Sequence, residues 1–238
     1  MEQGTILYFY LQRKYQGRCC AKRHWWQTAK LHALAPFELG EQDRVRVAAC
    51  PVPAFFYKRK PWKPQVLKEL MENMLYEAEG MSDAILSPPL EKLFPEEQQR
   101  RWRPRLDTVR LLMGFLIEEK VEGGAWGRET AQIRLGAPQD SDWQMQLARE
   151  LLTPYLTQIN RCTVWYEPIP GVNIRDELET FLEDYYYEYG LVVQTRPYDE
   201  ADTAAEGINI DLRGDNLYRQ TWKYLDTMVK NKYDKLVN

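Results

Sequence analysis

Hydrophobic positions along the first third of the chain are clustered rather than periodic. Thr5 to Leu11 is rich in aromatic and β-branched residues and predicts a strand. Arg44-Val45-Arg46-Val47-Ala48 alternates polar with apolar and predicts a second strand, stopped by Cys50-Pro51-Val52-Pro53. Residues 18–35 fit either a helix from Ala21 to Ala35 or a sheet pairing through Trp25-Trp26. From Gln65 to Glu79 the period changes: Leu67, Leu70, Met71, Met74, Leu75 and Ala78 form one helical face, and Pro64 suits its first turn. Arg105 to Lys120 repeats that pattern with Leu106, Val109, Met113, Leu116 and Ile117. Ser87-Pro88-Pro89 and Phe94-Pro95 break the chain, and Glu122 to Gly127 is its strongest linker candidate.

Beyond residue 130 strands and helices alternate. Gln132 to Leu135 predicts a strand. A helix from about Asp142 follows, capped by Asp140 or Ser141, with Trp143, Leu147, Leu151, Tyr155 and Ile159 at helical spacing. Pro154 should kink or shorten it. Cys162 to Tyr166 predicts the next strand. Asn173 should cap a helix buried through Ile174, Leu178, Phe181, Leu182, Tyr185 and Tyr189, with Gly190 as its stop. Leu191 to Thr195 reads as a strand, Ile208, Ile210 and Leu212 alternate as another, and a last helix runs from Asp215 onward.

Strands separated by single helices imply βαβ units with right-handed crossovers. The expected fold is a three-layer, Rossmann-like α/β open sheet, mostly parallel in the C-terminal half. With no helix between Thr195 and Ile208, the last strand is expected to be an antiparallel edge strand. Residues 1–238 are read as one compact unit, with a lobe boundary near 122–128 separating a basic or mixed lobe, 1–122, from an acidic βαβ lobe, 129–238.

Composition narrows the class. The longest near-apolar run, Ile6 to Leu11, is far below the roughly 20 residues of a membrane span. No signal-peptide pattern opens the chain. Cys19, Cys20, Cys50 and Cys162 are too few for a disulfide scaffold, so a reducing cytoplasm is the expected compartment. The net charge of −3 conceals a polarised layout. Residues 1–64 carry 12 Lys/Arg against 4 Asp/Glu, and residues 139–211 carry 4 against 15. Such asymmetry is a partner signal, including self-association through opposite charge faces.

Chemistry is sparse. Vicinal Cys19-Cys20 near His24 does not match zinc-ligand spacing, so no metal site is assigned there. With His24 and His32 as the only histidines, and no glycine-rich nucleotide loop or nucleophile elbow, the common catalytic motifs are missing. Three basic-aromatic clusters could bind a polyanion such as nucleic acid through Arg23, Trp25 and Trp26; Lys58, Arg59, Lys60 and Trp62; and Arg101, Trp102 and Arg103. Open parallel sheets bind ligands beyond the carboxyl ends of their strands. That rim offers Asp140, Asp142, Glu167 and Asp199 as catalytic candidates, with Ser141, Asn173, Arg196, Arg213 and Asp215 as ligand-binding candidates. Converging carboxylates could hold Mg²⁺ and act on a phosphorylated small molecule. The reading adopted is a non-catalytic binding or protein-interaction protein with no cofactor. A Rossmann-like metal-dependent enzyme and a polyanion binder are the alternatives.

Overall fold

The computed structural model describes residues 4–12, 37–42, 45–53, 82–92, 94, 104–136, 141–171, 173–198 and 207–237. The helix expected over 65–79 and the segment 18–35 lie outside them. The fold is α/β, with one mixed and one parallel sheet flanked by helices, consistent with a Rossmann-like arrangement. The chain divides into two compact units: Met1–Thr108 with Trp222–Asn238, and Val109–Thr221.

The first unit holds β1 (Gly4–Gln12), β2 (Phe37–Gln42), β3 (Val45–Pro53), β4 (Ser82–Leu86) and the short helix α1 (Pro88–Glu91). Strand order is β2-β3-β1-β4; β1 runs parallel to β3 and β4, and β2 is antiparallel to β3. Ile6 to Tyr10, Val47 to Cys50 and Ala84 to Leu86 are buried without a break. Both faces of these strands are therefore covered, as parallel sheets require. Cys50-Pro51 does not end β3 as expected. β2 pairs only as far as Ala49, so beyond it alternate β3 residues owe no ladder hydrogen bond and proline is tolerated. Strands β2 and β4 were not expected. Asp83 ties β4 to the chain ahead: its Oδ1 accepts the Ala84 N–H at 2.9 Å, and its Oδ2 accepts the Arg105 N–H at 3.0 Å and the Thr108 hydroxyl at 2.6 Å. On the central strand, the Tyr8 hydroxyl donates to Asp226 Oδ1 at 2.6 Å.

The second unit's sheet is built from β5 (Thr130–Arg134), β6 (Arg161–Tyr166), β7 (Val193–Pro197) and β8 (Ile208–Asp211), in the order β7-β6-β5-β8. All three pairings are parallel. The expected antiparallel edge strand is thus corrected: β8 lies at an edge but runs parallel to β5. The ten residues 198–207 can span up to about 33 Å, enough to return to the start of the sheet without a helix. Gly207, at φ +84°, marks the point of return; a Cβ there would lie 2.2 Å from the Thr130 carbonyl oxygen. The linker candidate, Glu122 to Gly127, ends a helix and leads toward β5 within this unit.

The helices are α2 (Leu106–Glu122), α3 (Ser141–Leu152), α4 (Ile174–Glu177), α5 (Glu179–Tyr189) and α6 (Asn216–Val237). Unit boundaries fall inside α2 and α6. Proline ends α3 as expected, with a 3₁₀ turn over Thr153–Tyr155. Two expected core positions are corrected: Trp143 and Leu106 are exposed, because each lies at a helix start, outside the buried stripe. Met145, Leu147, Ala148, Leu151 and Leu152 are the apolar residues α3 buries. Asn173 caps α4, its Oδ1 accepting from the Arg175 N–H, and a break at Leu178 separates α4 from α5. Gly190, at φ +66°, ends α5. Tyr189, expected inside, is partly exposed at that end.

Candidate functional site

The two faces of the second sheet differ in chemistry. Ala131, Ile133 and Leu135 join Cys162, Val164, Val193, Ile208, Ile210 and Leu212 in one apolar core with residues of α2, α3, α4 and α5. Side chains alternate across a sheet, so the intervening residues share the opposite face. Register places Asn209, Gln132, Thr163 and Gln194 in one row there, and Asp211, Arg134, Trp165 and Arg196 in the next. The contacts agree. Arg134 donates to Asn209 Oδ1 and, at 3.4 Å, to Gln132 Oε1, while Arg196 lies 6.0 Å from the Trp165 ring centre and donates to Gln194 Oε1 at 3.3 Å.

The carboxyl ends of β5 and β8 meet where the strand order reverses, the usual crevice of an open parallel sheet. Here described side chains bridge the strand ends. The buried Gln144 of α3 accepts the Gly136 N–H at 2.8 Å and donates to the Leu212 carbonyl at 3.3 Å. A Cβ on residue 136 would come within 2.9 Å of the Gln144 amide, so glycine is what admits the bridge. Tyr198 adds a second bridge, its hydroxyl donating to the Leu135 carbonyl at 2.5 Å. Burial pushes that phenol well above its usual range, against the partial opposition of Arg213. Arg213 lies 4.9 Å from the Tyr198 ring centre and grips Asp211 with Nε at 2.9 Å and NH2 at 2.7 Å. The Asp211 hydrogen bond raises the Arg213 pKa further. Asn216 donates to the same carboxylate at 3.2 Å, and Gln220 to the Asp211 carbonyl at 2.7 Å.

Of the candidates read from the sequence, Arg213 belongs to this network and Arg196 to the polar face. Asp142 and Glu167 are exposed. Asn173 is a helix cap that also donates to Asp176 at 2.8 Å. Asp215 is exposed, and its carbonyl accepts from Arg219 at 2.9 Å. Asp140, Asp199, the Ser141 side chain and all three basic-aromatic clusters lie outside what is described. Among the described residues no three His, Cys, Asp or Glu side chains lie together as a metal site. No described helix is long and apolar enough to cross a membrane.

Gln144, Tyr198, Asp211, Arg134 and Trp165 were missed as site residues. For Arg134 and Trp165 a signal was present: polar or amphipathic residues recur at every second position of β5 and β6, where a parallel sheet covered on both faces would carry aliphatics.

On the outer surface Arg149 forks between Asp184 at 3.1 Å and Glu188 at 2.5 Å, joining α3 to α5. Both carboxylates are partly exposed, and the bond to Glu188 raises the Arg149 pKa. On α5 itself Tyr186 and Tyr187 are exposed, Tyr187 at 78%, as is Val192 two residues past the Gly190 stop. No family model, curated protein or solved structure matches this chain.

Proposed function

We propose that this chain is a non-catalytic binding protein that works by contact with another protein. The observation that carries the reading is the bridging of the strand ends. Enzymes of this architecture place their chemistry beyond the carboxyl ends of strands such as β5 and β8, and there the described Gln144, Tyr198 and Asp211–Arg213 side chains are engaged with the backbone and with one another. The α5 surface supports the same reading. Tyr186 and Tyr187, exposed on the helix that carries Asp184 and Glu188, with Val192 exposed past its end, offer aromatic anchors within an acidic surround, suited to a partner with apolar and cationic groups. The described cysteines, Cys50 and Cys162, are buried free thiols, which supports a reducing, cytoplasmic setting.

The test is turnover. The purified chain is incubated with nucleotides and sugar phosphates, with and without Mg²⁺, and the products are followed by phosphorus NMR. No product above the uncatalysed rate is expected. Mg²⁺-dependent turnover that Asp142→Ala or Glu167→Ala abolishes would establish the metal-enzyme alternative instead.

A further inference from the structure

In the sheet that overlaps the most acidic stretch of the chain, one row is cationic. Across β8, β5, β6 and β7 it reads Asp211, Arg134, Trp165, Arg196. Arg134 is only 9% exposed, and its partners are the amide oxygens of Asn209 and Gln132. Among the described residues no carboxylate lies within ion-pair distance of it. A guanidinium withdrawn from water without a counter-ion is costly unless something supplies the charge. Trp165 is 7% exposed, and its indole N–H, a donor and never an acceptor, has no hydrogen-bond partner among the described residues. The row's own carboxylate is already taken, since Asp211 is held by Arg213 and Asn216.

What remains is one unsatisfied donor on β6 in a row with two cations, Arg134 turned toward Asn209 on β8 and Arg196 toward Gln194 on its own strand. Arg134 and Arg196 stand two strands apart, about 10 Å at the backbone, and both would swing toward the indole to share a ligand. Gln194 and Arg196 on the edge strand are exposed, so a ligand would meet Arg196 first and reach the covered indole by displacing what lies over it. The complement is an acceptor-only group with two negative charges and more than two oxygens.

We propose that this row binds a phosphate-type oxyanion, Arg134 and Arg196 neutralising it and the Trp165 indole N–H donating to a third oxygen. Guanidinium–phosphate geometry favours arginine in this role. The inference rests on the binding reading in one respect: no catalytic step is assigned to the row.

The test is calorimetric titration of the full chain with inorganic phosphate, phenyl phosphate, benzoate and chloride at matched ionic strength, with phosphorus NMR on the same samples. Saturable binding of a phosphate probe, at least tenfold tighter than chloride or benzoate, is expected. Tighter binding of phenyl phosphate identifies an ester as the ligand, and equal binding identifies the free ion. Arg196→Gln, on the exposed edge, should weaken binding roughly tenfold or more. Arg134→Met should remove binding while leaving the urea midpoint equal or higher. Phosphate binding no tighter than chloride or benzoate, or binding that Arg196→Gln leaves unchanged, overturns the site. Hydrolysis of phenyl phosphate would overturn the non-catalytic reading while leaving the site intact, so the two failures are distinguishable.

Discussion

The two sheets of this chain solve the same problem in opposite ways. In the first, the central strand β1 is buried at five successive positions, Ile6 to Tyr10, and its neighbours β3 and β4 are buried along their middles. In the second, the central strand β5 alternates: Ile133 lies in the apolar core, while Gln132 and Arg134 face away from it. Parallel strands are normally covered on both faces and read as aliphatic runs. The first sheet obeys this rule. The second departs from it on one face, where it carries an arginine and an indole whose polar groups the surrounding protein leaves incompletely matched. Stability explains the first pattern, and the second calls for a ligand.

Truncation of single side chains tests this contrast most strongly. Phe9→Ala should cost about 3–5 kcal/mol and Ile6→Ala about 2–5 kcal/mol in urea unfolding, because neighbours on opposite faces of β1 are both core. In the second sheet Ile133→Ala should cost about 2–5 kcal/mol, but Gln132→Ala only about 1 kcal/mol, the loss of a long hydrogen bond from Arg134. Equal losses at Ile133 and Gln132 would erase the distinction between the sheets.

Alkaline pH gives the next effect, and it touches both units. Burial pushes the Cys50 and Cys162 thiols up to about 12, from an ordinary value of 9.0. Burial, reinforced by Asp226, raises the Tyr8 phenol from its ordinary 10.0. Each group keeps its proton in the folded chain at a pH where the unfolded chain releases it. Stability is therefore full below pH 9 and should fall progressively from pH 9 to 12. Urea midpoints measured from pH 8 to 11 check the sign, and Cys162→Ala should flatten part of the decline. A midpoint that rises over this range would contradict the burial of these groups.

Tyr8→Phe removes the hydroxyl bonded to Asp226 and should cost about 1 kcal/mol at neutral pH, by the same urea assay. The smallest effect belongs to Tyr185, whose hydroxyl is buried in the second unit's core with no partner among the described residues. Tyr185→Phe should leave stability within about 0.5 kcal/mol of the parent or raise it. A loss as large as that of Tyr8→Phe would reveal a partner for that hydroxyl.

The alternation of strands and helices beyond residue 130 was legible because each element carries its own punctuation: Pro154 after α3, Asn173 before α4, Gly190 after α5. β4 escaped notice because a three-residue apolar run, Ala84-Ile85-Leu86, is too short to show a period; only the Ser87-Pro88-Pro89 stop hinted at its end. The direction of β8 was misread because a parallel return was equated with a helix, whereas ten residues are long enough to permit one. The rim was read from the sequence as a set of carboxylates, with Arg213 among the ligand-binding candidates. The bridging contacts described there come instead from Gln144 and Tyr198, whose roles depend on chain segments 54 residues apart meeting at one place. A local pattern carries no record of such a meeting.

The close approach of Gly207 to Thr130 bears on how kindred sequences could be found. No larger residue fits at Gly207, so this position should resist drift while the exposed surface around it varies. Together with the inward-facing Ile208, Ile210 and Leu212, it defines a short signature, glycine followed by apolar residues at the next, third and fifth places. A search keyed to that spacing, set about 75 residues after a strand with arginine as its last residue, would look for the second sheet by its architecture where overall similarity has faded.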